Sequence, residues 1–369
     1  MSSTFEIFLA APPGLEPVLL DETREAGFAG AKAVPGGVEF DGGWPDVWRA
    51  NLELRGASRV LARIGSFRAF HLAQLDKRAR KFPWGDVLRP DVPVKVEAVC
   101  RKSKIYHAGA AAQRIERAIE ETLGAPSGGA GALKLMVRIE DNLVTFSLDT
   151  SGDLLHKRGH KEAVGKAPMR ETLASLFLRQ AGYRGTEPVA DPMCGSGTFV
   201  IEAAEMALGL QAGRARRFAF EQFAGYDPEA FAALRRSGPE RDTTHCFQGS
   251  DRNAGAVEMA TANADRAAVD GCTRFLQAAA GDFTPPPGAP GLVMVNPPYG
   301  ARIGNKKLLY ALHGSLGQVL MERCSGWRVG IVTSEGGLSR ATGLPFLPPG
   351  PPVPHGGLKV RLYQTAPLR

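Results

Sequence analysis

Cysteine is scarce in this sequence, and its spacing excludes the sites that cysteine usually builds. The 369 residues contain five cysteines, with no CxxC pair or other metal-ligand spacing among them. They are Cys100, Cys194, Cys246, Cys272 and Cys324. We therefore expect reduced thiols, no metal centre and a cytoplasmic location.

Long apolar runs and phosphate-binding loops are also missing. No stretch approaches the roughly 18 consecutive apolar residues of a membrane span, and the first residues form no basic leader, so we expect neither a membrane partner nor a secretory signal. No glycine turn is followed by the GK[ST] of a phosphate loop, and no GxGxxG occurs. A nucleotide-dependent oxidoreductase is therefore disfavoured.

Positive charge is abundant and clustered. The chain carries a net charge of +7. The dense basic runs are residues 76–81, 101–107, 155–161 and 214–217. Any one run is compatible with a solvated surface, but together they favour a phosphate-binding face and a nucleic-acid partner.

The pattern of strands and helices changes near Pro168. Before it, short strand and helix signals are mixed, which predicts two small α+β units at residues 1–55 and 56–152 and a linker at 153–167. Residues 168–369 alternate strands and helices, which is typical of a mostly parallel, doubly wound α/β sheet, here with an antiparallel terminal strand. Ligands of such sheets bind beyond the carboxyl ends of the strands.

The first strand of the predicted sheet ends in the sequence DPMCGSGT. Gly195 and Gly197 allow a tight turn and close backbone approach, and Ser196 and Thr198 are candidate caps for the following helix. The free amides of that helix suit a polar ligand, although purely structural turns use glycine as well.

Acidic residues follow the next two strands. Asp251 is placed to hold the two hydroxyls of a ribose, or alternatively to cap a helix. Asp282 and Phe283 are placed to accept from an adenine amino group and to flank its ring, with an ordinary turn as the alternative.

The fourth strand ends in the sequence NPPYG. Prolines cannot donate to a sheet, so the chain leaves it at a rigid corner. The Asn296 amide oxygen and the Pro297 carbonyl can accept both hydrogens of one exocyclic amine, and Tyr299 can stack on the ring that carries it. Together the strand ends predict a slot for an adenosine-bearing cofactor beside a slot for an aminated base.

DPMCGSGT together with NPPYG resembles the class I S-adenosylmethionine-dependent amino methyltransferases. Residues 155–175 and the long insert after the glycine turn are similar to THUMP-domain RNA guanine-N2 methyltransferases, and this resemblance covers nearly the whole chain. It implies a ferredoxin-like domain at 1–55, a THUMP RNA-binding domain at 56–152 and a Rossmann-like methyltransferase domain at 168–369. It also implies S-adenosylmethionine as cofactor and methyl transfer to the N2 amine of a guanosine, with 23S ribosomal RNA favoured.

The same resemblance, with the motifs above, assigns roles to residues. Cofactor contacts are implied for Asp191, Met193, Gly195, Ser196, Gly197, Thr198, Asp251, Asp282, Phe283 and Asn296. Catalytic roles are implied for Asn296, Pro297 and Tyr299. The basic runs supply candidate RNA contacts at Lys102, Lys104, His107, Lys157 and Arg158.

Other activities stay open on the sequence. Transfer RNA enzymes of the group have one methyltransferase domain, as seen here, whereas the ribosomal enzyme of some bacteria has two. DNA adenine-N6 and protein glutamine methyltransferases also place NPPY around an amine or amide, and an RNA-binding protein with an inactive cofactor site is a further alternative. Cytosine C5 chemistry needs a thiolate, and Cys194 is more simply a packing residue.

Overall fold

A computed structural model of the chain describes residues 4–161, 169–238, 241–299 and 306–369. The helices in these residues are α1 (Glu16–Glu25), α2 (Trp44–Glu53), α3 (Leu72–Ala79), α4 (Ala108–Leu123), α5 (Glu171–Gln180), α6 (Thr198–Ala207), α7 (Pro228–Arg236), α8 (Ala254–Arg266), α9 (Lys306–Arg323) and α10 (Gly336–Ala341). The strands are β1 (Phe5–Ala10), β2 (Lys32–Val34), β3 (Gly37–Gly42), β4 (Arg59–Arg68), β5 (Val94–Arg101), β6 (Leu133–Glu140), β7 (Leu143–Asp149), β8 (Val189–Asp191), β9 (Phe247–Asp251), β10 (Thr273–Gln277), β11 (Leu292–Val295), β12 (Arg328–Thr333), β13 (Val353–His355) and β14 (Leu358–Gln364). Within these ranges no helix is long and apolar enough to cross a membrane.

The chain forms two compact units that interleave in sequence. The first comprises residues 1–11, 22–155 and 216–237, and the second comprises residues 12–21, 156–215 and 238–369. The predicted linker at 153–167 is therefore wrong for its described part, because residues 156–161 belong to the second unit.

One continuous sheet forms the first unit, with strand order β2-β3-β1-β4-β7-β6-β5. Strand β4 pairs with β1 on one side and with β7 on the other. The predicted boundary between residues 55 and 56 therefore does not separate compact units, because strands from both sides of it hydrogen-bond into one sheet. Asp141 and Asn142 form the turn between β6 and β7, and both residues have positive φ, at 49° and 63°.

Part of the insert after the glycine turn also belongs to the first unit. Phe220 and Phe231 contact the ring of Trp48, with ring centroids 6.2 and 6.3 Å away. The backbone N–H of Phe220 donates to the carbonyl of Thr150 at 3.1 Å. The insert is long because it supplies core residues to a unit outside its own sheet.

The second unit confirms the predicted doubly wound sheet, with strand order β10-β9-β8-β11-β12-β14-β13. The strands β10, β9, β8, β11 and β12 are parallel, and β14 pairs antiparallel with β12 and β13. Every residue of β11 is buried and apolar, as expected of a strand covered on both faces. Helix α5 begins at Glu171, with Arg170 as its N-cap.

Candidate cofactor and amine site

Three of the predicted site residues lie at the ends of neighbouring parallel strands. Asp251 is the last residue of β9, Asp191 is the last of β8, and Asn296 follows β11. The strands are adjacent in the order β9-β8-β11, so their carboxyl ends meet at one edge of the sheet. The structure therefore brings together the residues that sequence spacing had placed at separate strand ends.

The glycine turn after β8 needs both of its glycines, for different reasons. Gly195 and Gly197 have φ of 52° and 84°, in the left-handed region. A Cβ on Gly197 would lie 3.1 Å from Ala260 and Phe275, so that position also requires close packing. A Cβ on Gly195 would meet no atom of the described residues within 4 Å, so the backbone there leaves room for the close approach of a ligand.

The predicted caps of α6 are wrong. Its N-cap is Gly197, with no side-chain cap hydrogen bond, and Thr198 is the first helical residue. Ser196 is buried, and its carbonyl accepts from the Asn263 amide at 3.1 Å. The first amides of α6 therefore lack a side-chain acceptor from the cap position and are available to an anionic group.

Two acidic residues accept hydrogen bonds from the backbone of the glycine turn. Asp191 is 2% exposed and accepts from the Met193 amide at 2.9 Å. Asp251 accepts from the Gly195 amide at 3.2 Å and from the Asn253 amide at 2.9 Å. Burial, with a smaller contribution from the neighbouring Asp251, raises the pKa of Asp191 to about 8. Asp191 therefore holds its proton more tightly than an ordinary carboxyl group. The N-cap of α8 is Asn253, so the alternative prediction of Asp251 as a helix cap is wrong.

The Asn-Pro-Pro-Tyr corner presents a buried hydrogen-bond acceptor. Asn296 Oδ1 is buried and accepts no hydrogen bond among the described residues. Pro297 is buried and Tyr299 is half-buried beside it. Burial raises the pKa of Tyr299 to about 12, so its phenol stays protonated. The corner thus combines the buried carbonyl oxygen of Asn296 with the neutral aromatic ring of Tyr299.

The third strand end departs from the prediction in one residue. Asp282 ends a short 3-10 helix and is exposed, so its carboxylate can reach a ligand. Phe283 is 1% exposed and packs in the hydrophobic core with Val293 and Leu316. The expectation that Phe283 flanks the adenine ring is therefore wrong, because an apolar ring next to a buried strand gains more by entering the core.

Cys194 is not a nucleophile in this arrangement. Its side chain is buried, and burial together with Asp191 and Asp251 holds the pKa of the thiol far above its usual range. A neutral thiol cannot attack a base carbon. The prediction of a packing role for Cys194 is confirmed.

The first unit presents a basic loop with aromatic side chains. His107 caps α4 by accepting from the Ala110 amide at 2.9 Å, and Lys104 lies 5.6 Å from the ring centroid of Phe70. The Lys104 amide donates to Asn142 Oδ1 at 2.9 Å, which ties this loop to the turn between β6 and β7. Tyr106, 85% exposed, completes a surface that we call the basic aromatic loop. Its members are Phe70, Lys102, Lys104, Tyr106 and His107.

Arg158 is not an RNA contact. It is 2% exposed, and its guanidinium pairs with the buried Glu202 of α6 at 3.0 Å. The basic run at 155–161 is therefore largely internal to the second unit, although Lys157 is exposed. The prediction for Arg158 failed because its partner Glu202 lies far along the chain. A run of basic residues in the sequence does not show whether a side chain faces solvent or a buried carboxylate.

Several residues near the turn were not predicted. Lys161 donates to Thr198 Oγ1 at 2.8 Å and forms an ion pair with Glu171 at the same distance. Phe275 packs against the turn at Gly197, and Asn263 holds the Ser196 carbonyl. Nothing in the sequence of the alanine-rich helix α8 indicates a role for Asn263. Lys161 could be recognised only as a member of a basic run.

Comparison with known proteins identifies the family. Residues 158–344 match the family described as "RMKL-like, methyltransferase domain", and residues 6–61 match the "RlmL ferredoxin-like domain". The chain belongs to the RMKL-like methyltransferase family. The ferredoxin-like match extends to residue 61, within β4 and beyond the predicted boundary at residue 55.

Individual relatives of this RMKL-like chain agree. It is 30% identical to slr0064 of Synechocystis sp., provisionally named an RNA methyltransferase, over 98% of this chain and 97% of the relative. It is 32% identical to the ribosomal RNA large subunit methyltransferase K/L of Methylococcus capsulatus, over 91% of this chain and 48% of the relative, and thus spans about half of that protein. The solved structure of SMU.472, a provisionally named methyltransferase complexed with SAH, is 26% identical, with a TM-score of 0.87 and 100% of both chains covered. The RMKL-like chain is therefore a methyltransferase.

Proposed function

We propose that the protein methylates the N2 amine of a guanosine in RNA, with 23S ribosomal RNA as the favoured substrate. The observation that carries this proposal is the buried Oδ1 of Asn296, which accepts no hydrogen bond among the described residues. A buried acceptor without a donor costs about 1–3 kcal/mol. An exocyclic amine that enters the corner relieves this cost, so the enzyme binds an amine donor in preference to a carbonyl.

The corner also favours reaction at nitrogen. The lone pair of a guanine amine is delocalised into the ring, so the amine is a weak nucleophile. Asn296 Oδ1 and the Pro297 carbonyl would accept its two hydrogens and stabilise the positive charge that develops as the new bond forms. Tyr299, whose phenol stays protonated, would stack on the base after it leaves its helix. No covalent nucleophile is required.

The residues around the glycine turn fit the cofactor. The backbone at Gly195 leaves room for the close approach of a ligand, and the first amides of α6 suit its carboxylate. Asp251 would hold the ribose hydroxyls, and the exposed Asp282 would accept from the adenine amine. Met193, Ser196 and Asp191 would then act mainly through the shape of the turn. When bound, S-adenosylmethionine supplies an electrophilic methyl group.

The basic aromatic loop is the proposed RNA contact. Lys102, Lys104 and His107 supply positive charge or hydrogen-bond donors for phosphates, and exposed aromatic rings stack on unpaired bases whatever their sequence. Lys157 is exposed and remains a candidate, whereas Arg158 is excluded by its burial. Ribosomal RNA is favoured over transfer RNA because relatives at about 30% identity over most of this chain are named for it.

The test is direct identification of the product. The purified protein would be incubated with S-adenosylmethionine carrying a deuterated methyl group and, separately, with unmodified 23S ribosomal RNA, transfer RNA and duplex DNA. Nucleosides are then resolved by mass spectrometry. We expect labelled N2-methylguanosine from the ribosomal RNA. Label in N6-methyladenosine, or only in transfer RNA or DNA, would overturn the proposed substrate, and the Asn296→Ala variant controls for contaminating activity.

A further inference from the structure

The segment at residues 156–161 is fixed to α6 by one buried ion pair and by the contact of a buried histidine with a carboxylate. Arg158 pairs with Glu202 at 3.0 Å, and His160 Nδ1 lies 3.8 Å from a carboxylate oxygen of Glu205. Arg214 approaches the same carboxylate at 2.6 Å. Glu202 and Glu205 are almost fully buried and lie on one face of α6, since residues three apart are neighbours on a helix. Buried ion pairs of this kind are better at fixing geometry than at adding stability.

The attached segment places Lys161 beside the start of α6. Lys161 Nζ donates to Thr198 Oγ1 at 2.8 Å and to the Met169 carbonyl at 3.4 Å, and it pairs with Glu171 at 2.8 Å. The side chains of Lys161 and Glu171 are only 10% and 6% exposed. The lysine thus links the start of α5 to the first residue of α6.

The cavity that Lys161 lines is small. The cavity lined by Lys161, Glu171, Ser196 and Thr198 has a volume of about 10 Å³, room for about one water molecule. It is too small for an amino acid group. Because Glu171 neutralises the ammonium, long-range attraction of an anion is not its main effect either.

We propose that Lys161 is a positioning residue for the part of the glycine turn that binds the carboxylate of S-adenosylmethionine. This inference rests on the proposed cofactor site. Helix α6 has no side-chain cap hydrogen bond, so contacts that fix Thr198 help to set the direction of its first amides. The Lys161 hydrogen bond restrains the Thr198 side chain and thereby the first turn of the helix.

The test distinguishes the affinity for the amino acid group of the cofactor from the affinity for its nucleoside. Calorimetry would measure binding of S-adenosylmethionine and of 5′-methylthioadenosine, which has the same nucleoside but no amino acid. Lys161→Met and Thr198→Val both remove the hydrogen bond while keeping side-chain size. We expect each to weaken S-adenosylmethionine about tenfold, or about 1.4 kcal/mol, and to leave methylthioadenosine binding unchanged. Thr198→Ser keeps the acceptor and should bind both ligands as the wild type does.

Lys359→Met, the same change at an exposed lysine of the second unit, is the matched control and should change neither affinity. Equal weakening of both ligands, or of neither, in Lys161→Met would overturn the inference and leave the proposed function intact. Wild-type protein that binds neither ligand would instead contradict the proposed cofactor site. Thermal unfolding of each variant identifies general loss of structure, which would weaken both ligands together.

Discussion

Replacement of Asn296 by alanine should greatly reduce the rate of methyl transfer and change the stability of the protein only slightly. The buried Oδ1 of Asn296 has no partner among the described residues, and burying such an acceptor costs about 1–3 kcal/mol. Its removal relieves this cost while losing some packing, so the free energy of unfolding should change by less than about 1 kcal/mol. The rate of methyl transfer should fall at least about 100-fold, the usual effect of deleting one preorganised hydrogen-bonding group. Cofactor affinity should change little, because the other proposed cofactor contacts, at the glycine turn, Asp251 and Asp282, are intact.

A second buried asparagine provides the matched control. Asn51 donates to the Val47 carbonyl at 2.9 Å and to Thr150 Oγ1 at 2.8 Å, and it accepts from Ser151 Oγ at 2.7 Å. Asn51→Ala should therefore destabilise the protein by about 2–3 kcal/mol in denaturant unfolding. If Asn296→Ala were destabilised to the same extent, and its transfer rate tracked the folded fraction, Asn296 would be a structural residue and the reasoning would be refuted.

Further outcomes follow from the site. Asp251→Ala should weaken cofactor binding by calorimetry, with transfer at saturating cofactor largely preserved; unchanged affinity would remove Asp251 from the site. The pKa of Asp191 is raised to about 8, so between about pH 4 and pH 8 the native state binds a proton that the unfolded state releases. The free energy of unfolding of the wild type should therefore fall as the pH rises through this range, and that of Asp191→Asn should fall less. Charge reversal at Lys102 and Lys104 should lower RNA affinity and flatten its salt dependence by about 0.7–0.9 per lost phosphate contact, and an unaltered slope would exclude them. Arg158→Met should instead destabilise the protein by about 3–5 kcal/mol, with the salt dependence unchanged.

The sequence predicted the doubly wound sheet and its strand ends well because those signals are local. Alternating strands and helices, a glycine turn and an Asn-Pro corner each fix backbone geometry within a few residues. The general rule that parallel strands end at one edge then assembled Asp191, Asp251 and Asn296. The lack of a donor to Asn296 Oδ1 among the described residues could not be predicted, because it depends on every group packed around that oxygen.

The errors concern residues whose environment is set by distant parts of the chain. Phe283 enters the core because β11 and α9 cover it, and Arg158 is buried because Glu202 lies opposite. The boundary at residue 55 failed for the same reason, since β4 pairs with strands on both sides of it. Sequence spacing alone does not show which partner a side chain or a strand edge meets.

The central claim is that the glycine turn and the Asn-Pro corner border one cleft. A crystal structure with bound S-adenosylhomocysteine tests it most directly, through the distance from the cofactor sulfur to Asn296 Oδ1. An amine hydrogen-bonded to Oδ1 and in line with the departing methyl group requires about 8 Å or less between those atoms. We predict such a distance, with the sulfur facing Asn296. A sulfur that faces away from Asn296, or lies much farther from it, would contradict the account.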